Sequence, residues 1–431
     1  MQQPQSELRS VSPRYLTVLM IVVTLGVLVS AFDSVARNDA LPLILKYLHM
    51  NVAAGGMVLS AGFIATTLGN LFVGPIMDRW GRKRVFVYSM IAIALTSGFT
   101  AFIQNVVEYI LVGFFSGIVL TVIEIGNVLV AEEAPKESRG LLSGIVTAGF
   151  PMGTIVIGLV GAVVLPSGNW RLLFLLSFTS IILAVVAHFA LREPPRSAEA
   201  LRVKRESARI RHGEHVATTF GIDEDKAVRR EWAQIFAPDL RRQTIVASLF
   251  GILVNFSVGF VLVVGVEYFV IFDHLGIAAA SLALTVEGIF TLVGEIVAGW
   301  LADRWASRNL LIVWNIIGAV VVALFAVRGG PAWIYALMAA FGFFGQGYQG
   351  TWWRYLNDSF PTRARGTGSA FVTAVYFFGF IFAPTMYGQI LNSGHLTVAP
   401  LLSAGIVLVG ALILFAGRKI PPRRELEELA T

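Results

Sequence analysis

The chain has 431 residues, of which 56% are hydrophobic and only 14% charged, with a formal net charge of +6, 31 Phe and no Cys. No water-soluble domain buries that much apolar surface, so the composition places the chain in a membrane. The absence of Cys excludes a disulfide framework, a thiolate nucleophile and a thiolate metal site, and the positive charge gathers in loops between apolar runs, which reads as membrane topology and not as a nucleic-acid footprint.

Residues Met1 to Arg14 are polar, and the apolar run that follows is too long for a signal peptide and lacks a small-residue cleavage pattern, so the N-terminus is expected to stay in the cytoplasm. A spanning helix needs about 20 apolar residues. That rule gives about twelve spans, near 15–46, 54–77, 85–103, 106–130, 140–165, 170–190, 243–271, 280–301, 309–328, 332–356, 366–391 and 398–416. The first exceeds the thickness of a bilayer, which predicts a tilt, a kink near Pro42 or a projection beyond the membrane. Arg192 to Arg242 is the long hydrophilic segment, rich in Arg and Lys, and reads as a cytoplasmic linker between halves 1–191 and 243–431. Within it, Asp223 to Ile235 has mixed charges at helical spacing and fits equally a surface helix or a solvated loop. The loops near 50–54, 104–105, 166–169, 274–278 and 329–331 are almost free of Lys and Arg, so both termini and the linker are expected in the cytoplasm.

Between the second and third spans lies Gly74-Pro-Ile-Met-Asp78-Arg79-Trp-Gly81-Arg82-Lys83-Arg84, and a weaker copy, Gly299-Trp-Leu-Ala-Asp303-Arg304-Trp-Ala306-Ser307-Arg308, follows 225 residues later. Pro135-Lys-Glu-Ser-Arg139-Gly140 and Pro361-Thr-Arg-Ala-Arg365-Gly366 stand 226 residues apart. Two motifs at one offset indicate a duplication of the whole half. Gly74 allows close helix approach, Asp78 can accept from a neighbouring helix N-terminus, and the cations hold the loop in the cytoplasm.

This loop resembles the signature loop of the major facilitator superfamily, and the resemblance covers nearly the whole chain. It implies an all-α membrane protein of twelve transmembrane helices in two six-helix pseudo-symmetric halves, working by alternating access. It also assigns Gly74, Asp78, Arg79, Gly81, Arg82, Asp303 and Arg304 to conformational gating. Ala306 and Ser307 replace Gly81 and Arg82 in the second copy, so that loop is expected to lock its half less firmly. Asp358-Ser-Phe-Pro361-Thr-Arg-Ala-Arg365 resembles a motif of sugar porters and metabolite:proton symporters, which implies that Glu132, Arg139, Asp358 and Arg365 form a cytoplasmic network that breaks on opening inward.

A charge within the hydrocarbon costs at least about 2.5–3.5 kcal/mol and persists only with a partner, water or a function. The first span carries Asp33, Arg37, Asn38 and Asp39. Asp33 and Arg37 share a helix face and read either as a self-neutralised pair or as proton acceptor and anion-binding cation. Ala31-Phe32-Asp33 resembles the Gly-Phe-Asp of aromatic acid:proton symporters, matching at Phe32 and Asp33. Glu124, an acid with no cation nearby in sequence, is the second candidate proton site, with pairing across the interface the alternative. The stretch 112–117 lacks the Arg that many superfamily members use for coupling in this helix.

In the second half Glu287 and Glu295 stand two turns apart and can face one lumen. Arg354 is balanced between cytoplasmic anchor and substrate clamp, and Trp352 and Tyr376 are candidates to stack on a planar substrate, although packing is the commoner role of such rings. Gly149-Phe-Pro151-Met-Gly153 resembles only part of the antiporter motif, which favours import.

The leading expectation is a secondary active transporter, not an enzyme: a proton-coupled symporter that takes up a small organic anion such as a carboxylate. Asp33 and Glu124 would couple protons, while Arg37, Asn38, Arg354, Trp352 and Tyr376 would bind substrate. The alternatives are a proton-coupled antiporter exporting drugs or metabolites, or a sugar:proton symporter. No cofactor and no metal are expected, because the sequence has no nucleotide-binding loop and no His or Cys cluster; a proton gradient is the expected driving force, with sodium still open. The expected setting is a monomer in a bacterial-type inner membrane, with lipid and no nucleic acid as partners.

Overall fold

The computed structural model describes residues 12–50, 52–119, 121–206, 231–275 and 277–422. Its framework is helical because backbone N–H and C=O groups have no partner in hydrocarbon other than each other. Six rods come from the first half: α1 Pro13–Tyr47, α2 Val52–Trp80, α3 Arg82–Phe99, α4 in two pieces (Val106–Val119 and Val122–Glu133), α5 in two (Arg139–Thr147 and Gly149–Val164) and α6 in two (Arg171–Ser177 and Ser180–Ala190). The second half supplies α7 Arg241–Phe272, α8 Ile277–Ala302, α9 Ser307–Leu324, a broken α10, α11 Arg365–Asn392 and α12 Val398–Ile413. Among the described residues ten helices are long and apolar enough to cross a membrane. The 29-residue α2 and the interrupted α10 bring the rods to twelve.

The exterior explains where the apolar residues go. Phe189 is 81% exposed, Val163 79% and Ile182 68%, an arrangement intolerable in water but suited to lipid. The buried apolar residues form one large cluster on residues 235–420 and two on residues 19–191, with Ala370 of α11 packed into a first-half cluster. α1 runs for 35 residues, about 52 Å, so it projects beyond a hydrocarbon core of about 30 Å. Its start is set by Ser12, whose side chain accepts from the Tyr15 N–H, and by Pro13 in the first turn.

α10 consists of Pro331–Ala340, a π-helical turn Phe341–Gln346 and Gln349–Ser359. The glycines here bring it backbone to backbone with α8: a Cβ on Gly342 would lie 2.2 Å from the Glu287 carbonyl oxygen, and one on Gly350 would lie 1.9 Å from that of Glu295. Wide turns of this kind cluster at functional positions.

The α2–α4 crossing depends on the same device. A Cβ on Gly69 would stand 1.9 Å from the Ile118 carbonyl oxygen, which belongs to backbone and cannot rotate away. Gly69→Val is therefore expected to destabilise the folded protein by about 1–3 kcal/mol, the usual effect of overpacking. Thermal unfolding in detergent measures it, and an unchanged midpoint would show that the crossing is looser than this contact indicates.

The linker departs from the simplest expectation. Residues 207–230 lie outside the described part, including most of the expected surface helix 223–235, of which Glu231–Ile235 is a short helix. An additional helix, Pro195–Arg205, was not anticipated. Ser197 accepts from Arg82 Nη1 at 2.9 Å, and Lys204 Nζ donates to the Asp78 carbonyl oxygen at 3.0 Å. These bonds act together with the buried Ala200 and Val203 to hold this helix in place.

Candidate functional site

At the end of the bundle that carries the repeated loops, each half grips the other. Asp78, closing α2, accepts from the Thr367 N–H and Thr367 Oγ1 at 2.8 Å each, so it caps the N-terminus of α11 in the opposite half. Asp303, just past α8, accepts from the N–H groups of Gly140 and Leu141 at 2.7 and 2.8 Å and caps α5. Glycine permits both approaches: a Cβ on Gly74 would lie 2.5 Å from the Gly366 carbonyl oxygen, and one on Gly299 2.4 Å from that of Gly140.

A ring of buried ion pairs surrounds these caps. Arg365 of α11 donates to Glu132 of α4 at 2.8 Å, while Arg139 of α5 reaches Asp358 of α10 at 3.5 Å. Arg82 bonds Asp78 at 2.9 Å and lies 3.5 Å from Glu132. Gly81 has φ +99°, and a Cβ there would strike the Glu193 carboxylate, which accepts from the N–H groups of Arg82 and Lys83 at the start of α3. Arg79 is exposed in the last turn of α2. Arg304 folds back, its guanidinium 3.7 Å above the Trp300 ring and bonded to the Trp300 carbonyl oxygen.

Arg354, balanced in the sequence between cytoplasmic anchor and substrate clamp, lies with the ion pairs at the charged end. Its guanidinium bonds Asp303 at 2.5 Å and Asp358 at 3.4 Å, within the ring. Sequence comparison of the two loops shows Ser307 where the first has Arg82; α10 supplies the missing guanidinium from 51 residues away. The second loop thus has an arginine partner of its own, drawn from α10. Burial is the largest influence on Asp303 and keeps its carboxyl above the usual range, although Arg354 and the two backbone N–H groups oppose it. The joined state therefore holds Asp303 against a desolvation cost that opening would relieve.

Inside the spans the anticipated Asp33–Arg37 pair is not formed. Asp33, fully buried, accepts from Ser177 of α6, which in turn lies 3.1 Å from Ser97 of α3. Arg37 turns to α4, where Nη1 donates to the Gly113 carbonyl oxygen at 3.2 Å and Nη2 donates to Ser116 Oγ. One helical turn places the two on a common face, but each finds a nearer partner on a separate helix. No carboxylate pairs with Arg37 among the described residues, and its Nε is buried without a hydrogen-bond partner. The side chain of Asn38 lies outside the described residues.

Glu124 in α4 is fully buried, and neither carboxylate oxygen has a hydrogen-bond partner. Ser369 of α11 lies near it but donates to the Arg365 carbonyl oxygen at 2.7 Å. In the second half Thr291 donates to Glu287 at 2.7 Å. Tyr348 and Tyr376 place their hydroxyls 3.3 Å apart, and the Trp352 ring centroid lies 5.0 Å from that of Phe250. Tyr376 and Trp352 flank Gly251 of α7, so these two candidates share one aromatic wall while Arg354 stands apart in the ion-pair ring. The serines that hold Asp33 and Arg37 carry no sequence signal, being ordinary small polar residues within apolar spans.

The family model of the Major Facilitator Superfamily matches residues 23–384 and 248–430. The chain belongs to the major facilitator superfamily. It is 28% identical over 398 residues to the gallate transporter of Pseudomonas putida, covering 88% of this chain and 86% of that one. It is 25% identical over 415 residues to the cis,cis-muconate transport protein of Acinetobacter baylyi, covering 91% and 90%. The solved structure of the proton:xylose symporter XylE with 6-bromo-6-deoxy-D-glucose superposes with a TM-score of 0.77 at 18% identity, covering 97% of this chain and 99% of that one. This major facilitator protein is a multi-pass membrane transporter and not an enzyme. Its fold is the all-helical one of two pseudo-symmetric halves.

Proposed function

We propose that this transporter takes up a small organic carboxylate together with protons, by alternating access between a first half 1–191 and a second half 243–431 joined by linker 192–242. The observation that carries the reading is Arg37: a partly buried guanidinium in α1 with a carbonyl and a hydroxyl as partners and, among the described residues, no carboxylate paired with it. A cation so placed lacks an anion, and a substrate carboxylate supplies one through a charge-assisted fork. Export of cations would instead call for Arg37 to be neutralised by Asp33. The transporters of gallate and cis,cis-muconate to which the chain is similar carry acids, which supports the same substrate class.

Asp33 and Glu124 are the proton carriers in this scheme, and Trp352 and Tyr376 form the wall against which a planar acid lies. Proton and anion together neutralise the cavity, so the loaded carrier can occlude while the half-loaded one is penalised by a buried charge. Gly74, Asp78, Arg82, Glu132, Arg139, Asp303, Arg354, Asp358 and Arg365 form the gate that must separate for release. The charged end faces the cytoplasm of a bacterial inner membrane, with both termini on that side, and a monomer suffices because both halves are in one chain.

The test is charge movement in reconstituted vesicles on a solid support, challenged separately with gallate, 4-hydroxybenzoate, cis,cis-muconate, sugars and organic cations. Currents are expected with acids alone and larger with an inward proton gradient, an increase that a protonophore removes. Currents elicited only by sugars or cations would overturn the reading.

A further inference from the structure

Beside the gate, on the outer face of the first half, a cleft of about 500 Å³ opens between the end of α2, the start of α3, the end of α6 and the helix Pro195–Arg205. Lys83, Arg84, Arg202 and Arg205 supply its cations. Glu193 is the carboxylate among the lining residues, and both of its oxygens already accept backbone N–H groups at the start of α3. Four cations against the one carboxylate still leave the lining with an excess of positive charge. The transport scheme uses none of these four side chains.

The other wall is apolar and aromatic. Trp80 and Tyr88 are 59% and 57% exposed and border the cleft. Below Tyr88 the surface continues into the lipid-facing side chains of α3 and α6, with Phe99, Ile182, Val185 and Phe189 all exposed. Exposed Trp and Tyr at this level mark the interface between headgroups and acyl chains. A ligand that fits must be anionic at one end and apolar at the other, and it must enter from the bilayer.

We propose that this cleft is a binding site for the headgroup of an anionic phospholipid, its phosphate held by Lys83, Arg84, Arg202 and Arg205 and its acyl chains lying along α3 and α6. A free phosphate would satisfy the cations but leave the aromatic wall and the apolar track below it without a role. Because Lys83 and Arg84 belong to α3 while Arg202 and Arg205 belong to the linker helix, a bound headgroup bridges the linker to the gate, where Lys204 already holds the Asp78 carbonyl oxygen.

The experiment is native mass spectrometry of the purified full chain, released from micelles doped with phosphatidylglycerol or phosphatidylcholine. Phosphatidylglycerol is expected to be retained in preference, with retention weakened on the order of twentyfold in the double variant Arg84→Gln, Arg205→Gln, since each surface cation contributes about fivefold. Both residues are exposed and outside the ion-pair ring, so the variant is expected to fold, which gel filtration checks. The control removes the same charge at the same end with Arg241→Gln, Arg242→Gln and is expected to retain lipid as the wild type does. Equal loss in both double variants, or equal retention of the two lipids, would overturn the proposal in favour of diffuse surface charge. Displacement of the lipid by millimolar inorganic phosphate would overturn it in favour of a soluble phosphate ligand.

Discussion

Asp78→Ala opens the charged end of the transporter. The carboxylate accepts from Arg82 and twice from Thr367, so its removal strips the cap from α11 and leaves the buried Arg82 guanidinium to Glu132, Ser197 and the Thr362 carbonyl oxygen. The Arg82 pair lies within the first half, so what the gate loses is the two Thr367 bonds that cross between halves; hydrogen bonds to a charged group contribute about 1.5–3 kcal/mol each and every 1.4 kcal/mol is tenfold, so the ratio of joined to separated gate is expected to fall by at least about two orders of magnitude. Asp303→Ala acts on the mirror-related cap, where Gly140, Leu141 and Arg354 lose their acceptor, and should shift the ratio by a similar amount. Thr367→Ala removes one hydroxyl and keeps the N–H bond, so it should shift the ratio about tenfold or less. The natural chain has no Cys, which allows spin labels at Glu137→Cys and Trp305→Cys, one in each half and both exposed at this end. Longer label distances in both Asp variants are the expected result. A distance distribution identical to the parent would show that helix packing at Gly74 and Gly299, not the caps, holds the gate.

The gate was legible in the sequence in proportion to its repetition. Asp78 and Asp303 announce themselves because the same loop occurs twice, and Glu132, Arg139, Asp358 and Arg365 are singled out by the resemblance of Asp358–Arg365 to the motif of sugar porters and metabolite:proton symporters. What the repeat cannot reveal is a partner that breaks the symmetry. Ser307 removes the local arginine from the second loop, and its replacement comes from near the end of a different span, where a cation reads as readily as a substrate clamp. The rods were legible because lipid imposes a minimum apolar length on each of them. α10 obeys that length over 332–356, yet its π turn depends on how closely Gly342, Gly347 and Gly350 press on α8, a tertiary fact. Asp33 and Arg37 mislead for a related reason: a spacing of four states what two side chains can do on one helix, not what α4 and α6 offer each of them instead.

Arg37→Ala abolishes carboxylate transport and leaves the protein as stable as before. Those two results separate a substrate ligand from a structural cation. If Arg37 were neutralised by Asp33, its loss would strand a buried carboxylate and lower stability by about 3–5 kcal/mol. Its actual partners are the Gly113 carbonyl oxygen and Ser116 Oγ, which lose one hydrogen bond each and keep no uncompensated charge, so the thermal midpoint is expected to stay level or rise. The substrate, by contrast, loses its counter-charge in a site shielded from water. Truncating one partner of such a pair costs about 2–5 kcal/mol, which predicts a fall of at least about thirtyfold in carboxylate affinity. Arg37→Lys keeps the charge but not the planar fork that grips two carboxylate oxygens, so it should recover part of the binding and little of the selectivity among acids. The measurement pairs vesicle uptake with thermal unfolding for wild type, Arg37→Ala and Arg37→Lys. Uptake that survives Arg37→Ala while the midpoint falls would reverse the assignment, making Arg37 a brace between α1 and α4 and sending the search for the anion site to the aromatic wall of the second half.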